Sequence, residues 1–476
     1  MCASFLRPQE ALLESDFLRL APNLPNRHSG KDNRRKSPTI NQGSTTETHP
    51  LVSLLVLPFF IYIFKIERKE QKMMNENTYK DTYFRGFGPG EYADLKAEQA
   101  ALEKETTWMY GVQGPLSVDA MSDPIEMQIR IADPTNIIPH EILADTLENT
   151  GLLLEYADQI ACLRDCAMPS LLGTAGISGP GISRTTPDQL AIALTAFLTG
   201  SREKSTIMLR SGKVAAVLSS HYHHMPISEL LDICDSLEDT FGKAKFIGGS
   251  VSHSMTTAEF EFPESADKIT AAYNSALATS GRRAGGTIIP VVQFRASDTS
   301  SSAASLTTYL KVGPGHLLPI GGIKVDHKTP MEFRNGVRLT PMEKFREETQ
   351  TLFSKMEYDI ADLIPKMLAT SINHPGNTFV GLCKYAGIPQ KWGGLIEEDI
   401  RADWPDMSGC TFLDIYEELT RSTALAIRDG LEPHSKRILT LEEGIAKVAK
   451  NRSSWKKYDL AGTVVWSVAK SLSNAA

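Results

Sequence analysis

Residues 205–219 read STIMLRSGKVAAVLS: an apolar run from Ser205 to Leu209, then Arg210-Ser211-Gly212-Lys213, then a second run from Val214 to Ser219. Two short apolar runs joined by a polar, glycine-containing link predict a β-hairpin, because glycine accepts the positive φ of a tight turn. Working outward, Pro226 opens a helix whose apolar stripe is Ile227, Leu230, Leu231, Cys234, Leu237 and Phe241, with Gly242 as its stop. Lys245–Val251 and Thr256–Phe262 predict a second hairpin, Ala266–Thr279 a helix, and Thr287–Phe294 and Ala304–Val312 two more strands. The order is β-β-α-β-β-α-β-β. Paired strands alternating with single helices give an α+β fold, with an antiparallel or mixed sheet and helices on one face. A doubly wound parallel sheet does not fit.

Toward the N-terminus, Tyr92–Lys104 is polar and helix-prone, and Ile125–Ile131 alternates apolar and polar residues as a half-buried strand does. Pro139–Ala167 reads as helix interrupted near Gly151, and Pro187–Thr199 as another helix stopped by Gly200. Toward the C-terminus the chain turns helical, over 341–370, 376–386, 410–429, 440–451 and 459–472. The expected organisation is therefore an extension over 1–72, a mostly helical region over 73–200, the α+β core over 201–330, and a helical C-terminal region over 331–476.

The first 72 residues stand apart. Residues 21–50 are rich in Pro, Asn, Ser, Thr and Arg without apolar periodicity, a composition that favours disorder. Leu51–Phe64 is an apolar run of 14 residues, short of the roughly 20 needed to span a bilayer. Glu67-Arg68-Lys69-Glu70 can be written in purine-rich codons resembling a ribosome-binding site, and Met73 and Met74 follow it. The expectation is that 1–72 is a non-native or disordered extension and that the working chain begins near Met73, with no membrane partner. A membrane anchor through Leu51–Phe64 is the alternative.

Six scattered cysteines without a secretory signal suit reduced thiols and a cytoplasmic location. The net charge of −7 is uneven: residues 1–72 carry 11 Lys+Arg against 7 Asp+Glu, which leaves −11 for the rest. An acidic body attracts no nucleic acid as a whole, so such binding requires a local basic patch.

Chemistry-bearing clusters are few. On an extended strand His221 and His223 of His221-Tyr222-His223-His224 share one face and offer two imidazoles to a metal; the plain alternative is a polar strand end. Cys162 and Cys166 stand i, i+4 on the expected helix, a spacing that suits core packing better than zinc, since no second pair completes a site. Gly173–Ser183 is glycine-rich but lacks the spacing of either phosphate-binding loop, and reads as a linker. His140-Glu141 begins a zinc-protease motif that fails at Ala144, and Arg295, Ser297 and Asp298 form a polar patch at a strand end. Lys447, Lys450, Arg452, Trp455, Lys456, Lys457 and Tyr458 mix cations with rings, the chemistry that holds single strands, and Arg282 and Arg283 add to such a surface.

Two segments carry a resemblance. Lys213–Leu231 (KVAAVLSSHYHHMPISELL) and Val291–Leu310 (VVQFRASDTSSSAASLTTYL) resemble passages of the phage- and plasmid-related domain of unknown function 932 family, over roughly residues 200–330. Thr299-Ser300 departs from that family, which more often has glycine there. The resemblance implies a mobile-element context and no established enzyme activity.

The leading expectation is a mobile-element accessory protein that binds single-stranded DNA, with Arg282, Arg283, Lys450, Arg452, Trp455, Lys456 and Lys457 as contacts. It is not expected to be an enzyme, needs no cofactor, and forms homo-oligomers. Two alternatives stand beside it: a metal-dependent enzyme centred on His221 and His223, and a module whose acidic surface binds a host protein.

Overall fold

A computed structural model describes residues 83–120, 150–178, 182, 185–199, 204–313, 317–327, 333–334, 337–462 and 466. The chain divides into Met1–Phe64 and Lys65–Ala476, and every element below belongs to the second unit. The extension over 1–72, the strand expected at Ile125–Ile131 and His140-Glu141 lie outside the described residues. Among the described residues no helix is long and apolar enough to cross a membrane.

The elements run β1 (Phe84–Phe87), α1 (Tyr92–Lys104), β2 (Thr106–Val112), β3 (Ser117–Ala120), β4 (Leu152–Tyr156), β5 (Gln159–Cys162), α2 (Met168–Ala175) and α3 (Pro187–Leu198). The core follows as β6 (Ser205–Arg210), β7 (Lys213–Ser219), α4 (Ile227–Asp235), α5 (Glu238–Phe241), β8 (Lys245–Ser252), β9 (Thr256–Glu261), α6 (Ala266–Leu277), β10 (Ile288–Ala296), β11 (Ala304–Val312) and β12 (Leu317–Val325). The tail is α7 (Pro341–Gln350), α8 (Leu352–Ala369), α9 (Pro375–Ala386), α10 (Gln390–Asp403), α11 (Phe412–Arg428) and α12 (Lys436–Lys450). Capping boxes start three of these helices: Thr186 with Gln189, Thr340 with Glu343, and Thr411 with Asp414.

The fold is α+β, and its named strand pairs are antiparallel. The main sheet has the order β1-β8-β9-β10-β11-β12; smaller sheets are β2-β6-β7 and β3-β4-β5. Alternation along β9, β10 and β11 sorts the main sheet's two faces. Ala258, Phe260, Val292, Phe294, Leu306 and Leu310 are buried in one large apolar core with residues of α1, α4, α6, α7 and α8. The opposite face carries Glu259, Glu261, Gln293, Arg295, Thr307, Tyr309 and Lys311, paired in register across the strands. The core helices thus cover one face, as expected. The tail helices α11 and α12 lie across the other, where the Tyr416 hydroxyl donates to the Pro319 carbonyl at 2.9 Å.

Several local expectations are corrected. Residues 152–162 are a β-hairpin rather than the end of a helix; its turn places Ala157 and Asp158 at φ of 43° and 63°. Cys162 therefore ends a strand and Cys166 lies in the 3-10 turn Asp165–Ala167, so the two are not one helical turn apart. The glycine-rich segment begins as helix: Gly173 is inside α2, which Gly176 closes in the left-handed conformation. The described part of 83–200 contains five strands besides its helices. β12 and α10 were not foreseen.

Candidate functional site at the junction of two sheets

β2 is an edge strand, hydrogen-bonded among the described strands to β6 only. Its alternation puts Trp108 and Tyr110 on the same face. Beyond β7 the chain turns at 220–221 and leaves the strand, so His221 and His223 do not share a strand face; this corrects the geometry expected of them. His223 is tied through its backbone instead, its N–H donating to the His327 carbonyl at 2.6 Å. His221 is exposed. Among the described residues no group of three or more His, Cys, Asp or Glu side chains is placed to hold a metal.

What the turn does position is Tyr222. Its ring lies nearly parallel to Trp108 on one side (centroids 5.9 Å, 14°) and to His327 on the other (5.0 Å, 13°). Trp108 is in turn nearly parallel to Tyr110 (6.1 Å, 12°), and His224 leans on it at 4.3 Å. Four rings therefore form a row, Tyr110–Trp108–Tyr222–His327, open to solvent at Tyr110, which is 61% exposed. The Tyr222 hydroxyl anchors the row by donating to the Asp298 carbonyl at 3.0 Å.

Under the row lies a buried charged network. Arg210, at the end of β6, is 1% exposed and Asp298, after β10, 2%. Arg210 donates through Nη2 to Asp298 Oδ2 (3.4 Å), through Nε to Thr106 Oγ1 (3.1 Å) and through Nη1 to the His253 carbonyl (2.8 Å). Arg164 reaches the Arg210 carbonyl and the His253 ring. His224 Nε2 stands 3.7 Å from Asp298 Oδ1, beyond a hydrogen bond. Burial pushes the Asp298 carboxyl up while Arg210 pulls it back. Burial lowers His224 and His327 to about 4, and burial with the two arginines lowers His253 to about 3, so all three imidazoles are neutral near pH 7. The polar patch Arg295-Ser297-Asp298 is thus split: Asp298 faces the ring row, while Arg295 pairs with Glu443 on the far face of the main sheet.

The residues expected to hold a strand divide as well. Trp455 is 4% exposed, stacked on Phe412 at 4.5 Å and donating Nε1–H to the Val448 carbonyl at 2.9 Å; it is a core residue and offers no face to a base. Arg282 grips Asp414 with both Nη groups at 2.7 and 3.3 Å, and so holds the capping residue of α11. Arg452 is paired with Asp362. Lys450, Lys456, Lys457 and Arg283 are exposed. Lys450, Arg452, Trp455, Lys456 and Lys457 stay together at the end of α12, with the ring withdrawn from that patch. Sequence reasoning overlooked Trp108 and Tyr110; the available signal was two aromatic residues at i, i+2 in a strand-like stretch.

No family model, no curated protein and no solved structure matches the chain.

Proposed function

We propose that the protein binds single-stranded DNA, with Tyr110 as the stacking face and Trp108 as the ring that backs it, in place of the basic tail. The observation that carries this reading is the ring row, open at Tyr110 and held from behind by Tyr222 and His327. Every base has a π-face, so stacking on a pre-set row needs no particular sequence, and each stacked base contributes about 1–3 kcal/mol. The reading accords with the mobile-element accessory role that the resemblance over residues 200–330 implies.

Charge sets the character of the complex. With a net charge of −11 outside residues 1–72, the protein gains little from releasing counterions, and stacking dominates. Fluorescence anisotropy of a labelled oligothymidine titrated with the full chain tests this. Expected are micromolar binding, a shallow dependence on salt, and a loss of about tenfold or more in Trp108→Ala and in Tyr110→Ala. No binding at low salt, or binding that ignores both substitutions, overturns it.

A further inference from the structure

On the far side of the main sheet, β9 and α12 bring two carboxyl groups to one amide. Gln293 Nε2 donates to Glu259 Oε2 at 3.3 Å and to Glu442 Oε2 at 3.1 Å, while its Oε1 accepts from the Tyr309 hydroxyl at 3.2 Å. Both amide N–H groups are used. Glu259 is 5% and Glu442 8% exposed, and both line the cavity described below. A carboxyl so largely withdrawn from water is costly to ionise unless a cation accompanies it.

Of the neighbouring cations, Arg428 is an exposed residue of the cavity lining described below, and the others are committed elsewhere. Lys311 and Lys245 both pair with Glu261, and Arg295 with Glu443. The nearest imidazole, His434, has Nδ1 at 3.7 Å from Glu259 Oε2, and burial lowers it to about 4, so it brings no charge near pH 7. Burial, and then the neighbouring carboxyl, raises Glu259 to about 8; burial raises Glu442 to about 7. Either group stands ready to exchange its proton for a cation at physiological pH.

A cavity of about 490 Å³ opens onto both of them. Its walls are mainly apolar, with Ile247, Ile438 and Ile445 among them, and Ala424 and Ile427 lie on the exposed side of α11. Pockets of about 300–1,000 Å³ with apolar walls and a few converging polar groups are the usual form of small-molecule sites. His434 completes the shape: its backbone is left-handed (φ 61°), and a Cβ at Gly248 would sit 2.7 Å from its Nε2, so Gly248 makes room for the ring.

We propose that this cavity binds a small organic amine, its ammonium on Glu259 and Glu442 and its apolar body against the isoleucine wall. Binding of the ammonium displaces one carboxyl proton to solvent and leaves an ion pair in the cavity, with the second carboxyl still protonated. This site is independent of the ring row.

Isothermal titration calorimetry of the full chain at pH 7 with hexylamine and with 1-hexanol, in phosphate and in HEPES, tests it. Expected are amine binding at least tenfold tighter than alcohol binding, and an amine enthalpy that changes with the buffer, which reports the released proton. Glu259→Gln and Glu442→Gln should each weaken the amine tenfold or more, since an amide cannot ionise. Ala424→Trp, on the exposed side of the cavity, should abolish binding with an unchanged Tm. Equal binding of amine and alcohol, indifference to all three substitutions, or no binding of the amine overturns the proposal.

Discussion

Arg210 Nη2 and Asp298 Oδ2 lie 3.4 Å apart in the buried interface between the β2-β6-β7 sheet and the segment following β10. The pair ties a hairpin of the smaller sheet to the main one. Removing one partner strands a charge away from water. Arg210→Met is therefore expected to cost about 3–5 kcal/mol, and Asp298→Leu in the same chain to recover much of it. Chemical denaturation of the two singles and the double checks this; additive losses would mean the pair is not coupled.

Stability should fall on both sides of a maximum near pH 6.5. His224, His253, His327 and His434, lowered to about 3–4 in the fold from 6.5, bind fewer protons folded than unfolded, so stability declines as pH falls from 6.5 toward 4, outweighing the opposite trend of the buried carboxyls there. Glu259 and Glu442, raised to about 8 and 7 from 4.5, bind more protons folded, so stability declines as pH rises from 6.5 to 8. Thermal melts across pH 4–9 should show both slopes, and Glu259→Gln with Glu442→Gln should reduce the alkaline one, leaving the part that buried Asp298, raised to about 7, contributes.

Trp455→Ala is expected to destabilise by about 3–5 kcal/mol, the usual cost of emptying a large buried ring site. Lys456→Ala, on the neighbouring exposed position, should change stability by less than about 0.5 kcal/mol. Urea midpoints distinguish the two; equal small effects would place the tryptophan outside the core.

Gly444 in α12 packs on the end of α9 so closely that a Cβ there would stand 2.0 Å from the Ala386 carbonyl oxygen. Backbone cannot yield as a side chain does. Gly444→Ala should therefore cost about 1–3 kcal/mol, opposite to the gain expected of Gly→Ala in an unobstructed helix. A raised Tm would refute the packing.

The core from β6 to β11 was legible because each strand is bounded by turn residues and each helix shows one apolar stripe. β12 was not: Pro319, Gly321 and Gly322 read as breakers. It is an edge strand, where proline is tolerated, and Gly321 and Gly322 sit where a Cβ would strike Asp359 and the Leu306 carbonyl. Residues 152–162 read as helix in the sequence because a strand buried on both sides has no alternation to show. Of the ring row only Tyr222 drew notice, as part of a histidine cluster. Glu259 and Glu261 alternate with Phe260 and Phe262, which reads as an ordinary wet face. Only the tail, distant in sequence, dries it.

That covering has a consequence for how the molecule is made. Glu259 and Gln293 leave the ribosome well before Glu442, so the sheet's polar face is first hydrated and its carboxylate charged. When α12 docks, Glu259 and Glu442 become buried together and, with no cation supplied, must take up protons. Completion of the fold is thus a proton-consuming step, driven harder in acid than in alkali, and an amine present at that moment would take the place of one of those protons.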